Sequence, residues 1–155
     1  MTILAGVIDH ARGVAARIGL DPEKITVPMQ PCDGAFHFVA RGDRFDQFAS
    51  ALGVDTLIAE RLSGDDVAYA VIFDAALTHN LTEELRTRGP GYSRWNWMGP
   101  HLMMMRAAGA LWGEKCEAHY RQVLERTPLT DAEIDAIRPG LLSPKQATGP
   151  RPRRV

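Results

Sequence analysis

Val67-Ala68-Tyr69-Ala70-Val71-Ile72-Phe73-Asp74-Ala75-Ala76-Leu77 carries a single charge, Asp74, in eleven residues. A helix that is apolar on nearly every side is a central, buried one. This stretch therefore predicts the helix on which the rest of the chain is arranged. Ser63-Gly64-Asp65-Asp66 starts it, with acids at the positive helix end. Beyond it, Asn80-Leu81-Thr82-Glu83-Glu84 begins a further turn of helix in the same way.

Upstream, Ile3, Leu4, Val7, Ile8, Ala11, Val14, Ala15 and Ile18 recur at helical spacing and predict an amphipathic helix over residues 3–18, ended by Gly19. Ile25–Met29 and Ala35–Val39 read as extended segments around the turn Cys32-Asp33-Gly34, which predicts a β-hairpin near residues 25–40. Pro28 and Pro31 make its first strand an edge strand or a poor one. Phe45, Phe48, Ala49 and Leu52 then fit a short helix ended by Gly53, and Asp55 caps a second through Leu57, Ile58 and Leu62.

Downstream, residues 87–99 form the longest irregular stretch, with Gly89-Pro90-Gly91, Tyr92, Arg94, Trp95 and Trp97. Pro100 suits the first position of a helix running to Arg126. The buried stripe of that helix would be Leu102, Met105, Gly109, Trp112, Cys116, His119 and Val123. Thr130-Asp131-Ala132-Glu133 is a capping box for a last short helix through Ile134 and Ile137. The expected fold is α+β and mainly α-helical, with about five to seven helices and one hairpin. Residues 1–140 would form a single globular domain, and residues 141–155, with three prolines, a disordered basic tail.

The chain has 155 residues and a formal charge of −1, from 18 Lys plus Arg and 19 Asp plus Glu. That composition excludes wholly disordered, coiled-coil and collagen-like chains. The near-neutral total hides an uneven distribution. Residues 85–113 contain Arg86, Arg88, Arg94 and Arg106 and no acid, and residues 141–155 contain Lys145, Arg151, Arg153 and Arg154 and no acid. The other 111 residues hold 10 basic and 19 acidic side chains, a net of −9. Two cysteines, Cys32 and Cys116, are too few for a disulfide framework. No apolar run approaches the roughly 20 residues of a membrane span. A cytoplasmic protein is the expectation.

Arg94, Trp95, Trp97, His101 and Arg106 form the leading candidate binding segment. A helix start binds anions, and aromatics interleaved with Arg stack on nucleobases. The competing reading is that the tryptophans face the same way and anchor a Gly/Pro-rich loop on the core. Cys116 and His119 lie three apart on a helix, weak candidates for zinc that Cys32 and His37 would have to complete. Asp74 with His79 or His10 is the candidate for acid–base chemistry. Met103-Met104-Met105 suits an adaptable binding surface. No Gly-rich phosphate loop or Gly-x-Ser-x-Gly elbow occurs, and no cofactor is expected.

Residues 95–108, from Trp95-Asn96-Trp97-Met98-Gly99-Pro100 through Met105-Arg106-Ala107-Ala108, resemble one segment of phage RecT-type single-strand annealing proteins. The resemblance implies no site residues and adds only to a nucleic-acid reading.

Three functions are compatible with these features. The first is a small non-catalytic interaction or regulatory protein binding a protein partner through its acidic body or its Met/Trp surface. Immunity, antitoxin-like and phage accessory proteins share this size and lack of motifs. The second is a nucleic-acid binder using residues 86–106 and the basic tail. The third is a small metal-dependent enzyme. Homo-oligomerisation is left open.

Overall fold

The amphipathic pattern near the start of the chain folds as helix α1, Ile3–Arg17, in a computed structural model that describes residues 3–148. Six α-helices and one three-stranded antiparallel sheet make the described residues α+β and mainly helical. They fall into two compact units, residues 1–75 and 76–155.

In the first unit, α1 buries Val7, Ala11, Val14 and Ala15, the i, i+4, i+7 stripe expected of it. Gly19 then takes a φ of +84°, the left-handed conformation that stops helices.

The sheet differs from expectation. Its strands are β1 (Phe36–Arg41), β2 (Arg44–Ala51) and β3 (Val54–Leu62), paired in that order as a meander. Residues 45–52 and 55–62 are thus strands, not short helices. The cause is turn chemistry. Gly42 (φ +63°) and Gly53 (φ +77°) sit in two-residue connections whose backbone twist matches that of paired strands. The spacing of Phe45, Phe48, Ala49 and Leu52 fits a helix by coincidence. Residues 25–29 are not the partner of β1, which pairs instead with β2 (Phe38 opposite Gln47). Their tie to β1 is one bond, Phe38 N–H to the Pro28 carbonyl at 2.8 Å, while Ile25 and Val27 enter the core. The turn Cys32–Ala35 does form, and Gly34 N–H donates to the Ser50 carbonyl. β3 carries two irregularities. Gln47 faces Ala59 and Phe48 faces Leu57, so Ile58 lacks an opposite residue, and a second extra residue falls between Ala59 and Leu62.

Helix α2, Gly64–Thr87, is one continuous element through the expected central helix and the helical turn after it. Ser63 and Asp66 bond reciprocally at its start: Asp66 N–H donates to Ser63 Oγ, and Ser63 N–H to Asp66 Oδ2. Asn80 does not begin a new helix. Its side-chain amide donates back to the Ala76 carbonyl at 2.8 Å, inside the helix. Within the apolar stretch Val67, Ala68, Val71, Ile72 and Ala76 are buried and only Asp74 is exposed, and Asn80 and Glu84 continue the buried positions at i+4 spacing.

In the second unit, the helix expected from Pro100 to Arg126 is two helices, α3 (Trp95–Ala108) and α4 (Ala110–Arg126), joined by Gly109 alone. Gly109 is extended (φ 168°, ψ 154°), and Gly113 lets the pair approach closely. A Cβ on Gly113 would lie 2.7 Å from Arg106 Cγ and 3.0 Å from Arg106 Cα. Pro100 lies within α3 rather than at its start, because the helix already begins at Trp95. Trp95, Met98, Leu102 and Met105 of α3 and Trp112, Cys116 and Tyr120 of α4 are buried at helical spacing. The Thr130–Glu133 capping box opens α5 (Asp131–Asp135) as expected.

Part of the expected disordered tail is built into this unit. Ser143 and Gln146 form a capping box on helix α6 (Pro144–Ala147), and Ala147 is fully buried. The local signal, Ser143-Pro144 with Gln146, was masked by the surrounding prolines and basic residues. Residues 149–155 of that tail lie outside the described residues.

Candidate functional site

The four arginines of the acid-free segment each meet a glutamate from outside it or at its margin. Arg86 contacts Glu83 at 2.7 Å, Arg88 contacts Glu84 at 2.6 Å, Arg94 contacts Glu133 at 2.9 Å and Arg106 contacts Glu117 at 3.4 Å. The charge of +4 counted along the chain is therefore matched in space. Arg94 shows this best. Its Nε and Nη2 grip both oxygens of Glu133, its Nη1 reaches Thr127 Oγ1, and Nη2 also reaches the carbonyls of Thr127 and Pro128. A forked, planar guanidinium suits this use. Its hydrogen bonds hold the Glu133 carboxyl down to about 2. Arg88 grips the buried Glu84 with two bonds and covers the Tyr92 ring at 4.6 Å.

Trp95 is fully buried, and its indole N–H donates to the Leu142 carbonyl at 2.7 Å. Trp97 is half-buried and donates to the Tyr92 hydroxyl at 3.3 Å. Because both lie on a helix, two positions apart, they do not face the same way. His101 is fully buried with Nδ1 on the Tyr120 hydroxyl. Arg106 packs on Gly113 and donates to the Ala147 carbonyl. These five residues thus join α3 to α4, α5 and α6. Of the methionine triplet, Met105 is buried and Met103 and Met104 half-buried.

Cys116 is buried, and burial pushes its thiol up to about 12, which disfavours the thiolate a metal needs. His119 is on the surface, not on the buried stripe, and partial burial of its ring lowers its pKa. Among the described residues, no group of three or more His, Cys, Asp or Glu is placed to hold a metal ion. Asp74 lies at the surface with its carboxyl raised by partial burial. His10 meets Asp65 at 3.3 Å instead.

Sequence reasoning passed over one polar chain. His37 Nδ1 lies 3.4 Å from Ser50 Oγ, and Ser50 donates to Asp55 Oδ1 at 2.6 Å. The serine stands between the other two, so its proton goes to the carboxylate and the histidine is not its base. The chain braces the β2–β3 hairpin.

The tip of that hairpin is the most exposed apolar feature of the first unit. Leu52 is 93% exposed, Val54 63%, Ile58 56% and Leu57 48%. Leu52 also has a φ of +52°, where side chains other than Gly, Asn and Asp are strained by about 1–2 kcal/mol. Its N–H donates to Asp33 Oδ1 at 2.6 Å, which holds the strained turn in place. Residues 25–40 and 45–60 contain no Lys or Arg, so the tip is flanked only by acids, Asp33 and Asp55 among them. In the second unit, an apolar groove of about 750 Å³ is lined by Leu124, Leu129, Ile134, Ile137 and Pro144, with Lys145 its one charged residue. The units differ in formal charge. Residues 1–75 hold 6 basic and 11 acidic side chains, a net of −5; residues 76–155 hold 12 and 8, a net of +4.

Comparison with protein-family models, curated proteins and solved structures finds no match. The likeness of residues 95–108 to RecT-type proteins therefore stands on that segment alone, which is helix α3. No helix of the described residues is long and apolar enough to cross a membrane.

Proposed function

We propose that this is a small, non-catalytic interaction protein of the cytoplasm that binds a protein partner through the β2–β3 hairpin. The observation that carries the reading is Leu52: a large apolar side chain, almost fully exposed, on a left-handed residue pinned by Asp33. Strain of this kind persists where the surroundings over-determine it, and it concentrates at binding sites. An Asn or Gly would satisfy the turn at less conformational cost, so the leucine is explained by what it touches in a complex. Val54 beside it, and Leu57 and Ile58 further along β3, are exposed apolar side chains as well. The inward engagement of Arg94, Arg106 and His101 favours this reading over nucleic-acid binding by residues 86–106.

The test is affinity capture from the native host after nuclease treatment, with the wild type and Leu52→Asn side by side. A nuclease-resistant partner held by the wild type and lost by the folded variant supports the reading. Identical captures by both proteins, or loss of every partner on nuclease treatment, rejects it.

A further inference from the structure

We infer that the α3 surface under helix α6 is a docking site for a short peptide turn, and that residues 141–148 fill it in cis as a displaceable strap. Strap and site lie within the second unit, and the inference is independent of the hairpin reading above.

Two donors define the site, and both read backbone. Trp95 Nε1–H donates to the Leu142 carbonyl at 2.7 Å, and Arg106 Nη2 donates to the Ala147 carbonyl. They stand eleven positions apart on α3, about three turns. Each is held from behind. A Cβ on Gly99 would fall 2.9 Å from Trp95 Nε1, so glycine there leaves room for the indole against its own helix. Arg106 packs its stem on Gly113 and reaches Glu117 at 3.4 Å. The helix α6 packs on α3, and Ala147 is its one buried residue, with no exposure at all. That seat admits only a small side chain. The Ala147 carbonyl is one of the last four of its helix, which have no acceptor role inside it, and a guanidinium caps such carbonyls favourably. The ligand class is therefore a peptide turn with a small residue at its C-terminal end and a carbonyl five positions earlier.

Two features make the strap displaceable. Its helix has four residues, far below the roughly 12–15 at which an isolated helix holds in water, so it depends on its seat. Its far flank, Pro144, Lys145 and Thr148, borders the open groove rather than packed chain. Segments with so few buried contacts open locally without unfolding the whole. Opening strips Trp95 Nε1 and Arg106 Nη2 of their carbonyls while Gly99, Gly113 and Glu117 keep the donors in place. A buried donor left unmade is costly, so the emptied site favours a second peptide of the same pattern.

The first measurement is native-state hydrogen exchange on the full chain. The Ala147 and Thr148 amides, bonded to the Ser143 and Pro144 carbonyls, should exchange at least about 100-fold faster than α3 core amides such as Leu102. Exchange of both at the rate of Leu102 makes the strap part of the core and overturns the inference. The second measurement uses full-length Ala147→Glu, which puts a long charged side chain where none fits. This variant should stay folded by circular dichroism and shift the Trp95 indole N–H resonance. An end-blocked peptide of residues 141–148, added in trans at millimolar concentration, should return that resonance to its wild-type position. The same peptide should leave wild type unchanged, because a tethered strap already acts at an effective concentration of that order. Adding Arg106→Gln to the variant should weaken peptide binding about tenfold. An Ala147→Glu protein that unfolds, or that stays folded and takes no peptide, overturns the inference. So does equal binding of a peptide that itself carries Ala147→Glu.

Discussion

Arg138 donates from Nη2 to the backbone carbonyl of Asn96 at 2.9 Å. That carbonyl is the one whose helical donor four residues on is missing, because position 100 is proline. The same arginine gives its backbone N–H to Asn96 Oδ1 at 2.8 Å, and the Asn96 amide donates to the Ala136 carbonyl at 3.0 Å. A proline inside α3 is thus accommodated by a residue 38 positions past it, just beyond α5.

This relationship gives a double-mutant cycle. Arg138→Ala should destabilise by about 2 kcal/mol, largely by orphaning the Asn96 carbonyl. In a Pro100→Ala background the residue at 100 supplies the missing N–H, so the same change should cost about 1 kcal/mol less. Urea unfolding of the four proteins measures the difference. Equal costs in both backgrounds would show that Arg138 does not serve that carbonyl.

The Arg94–Glu133 clamp predicts a stability effect where a binding effect was the expectation from sequence. Arg94→Ala should destabilise by about 1–3 kcal/mol, because it removes the forked pair and leaves Glu133 only the backbone N–H groups of residues 94 and 130. Arg94→Lys keeps the charge but loses the fork and should recover only part of that loss. Thermal unfolding of the two variants is the measurement.

The same clamp sets a pH dependence. Glu133 is lowered from its ordinary value of 4.5 to about 2. A depressed acid contributes stability that is fully present above its unfolded pKa and is lost as pH falls through the folded one. The contribution is therefore complete above about pH 4.5 and disappears toward pH 2. Glu84, held down by Arg88, acts in the same direction. Denaturant titrations between pH 7 and 2 should show Glu133→Gln less stable at neutral pH and flatter across the acid window than wild type.

Three glycines separate helix propensity from packing. Gly6 and Gly13 lie exposed in α1, with open space where a Cβ would go. Alanine at either should stabilise by about 0.5–1 kcal/mol. Gly113→Ala places a Cβ against the Arg106 backbone and should destabilise by about 1–3 kcal/mol instead. Urea midpoints of the three variants decide the matter by sign.

The helices were legible where one physical signal acted alone. The stripe of α1, its stop at Gly19 and the Thr130–Glu133 box follow from spacing and capping, which are local. The meander was readable in principle, since Gly42-Asp43 is a hairpin dipeptide. The helical spacing of Phe45, Phe48, Ala49 and Leu52 competed with it, and turn geometry decided the outcome. The break at Gly109 depends on the fit between Gly113 and Arg106, which no local pattern records. The basic segment was misleading because charge was summed along the chain. Glu133 and Glu117, which meet Arg94 and Arg106, lie 39 and 11 residues away in sequence. The tip at Leu52 carries no motif, and its exposure follows from its place in the two-residue turn between β2 and β3.

The two-residue turns of the sheet have a kinetic consequence. Strands joined so closely meet at little loop-closure cost, and topologies built from local pairings fold fast. The strain at Leu52 is imposed when the second turn closes, not when the sheet comes apart. If that turn forms before the rate-limiting barrier, Leu52→Gly should raise the folding rate and leave the unfolding rate nearly unchanged. The exposed apolar tip and the folding nucleus would then share a residue, and the turn would close more slowly because of the side chain it carries.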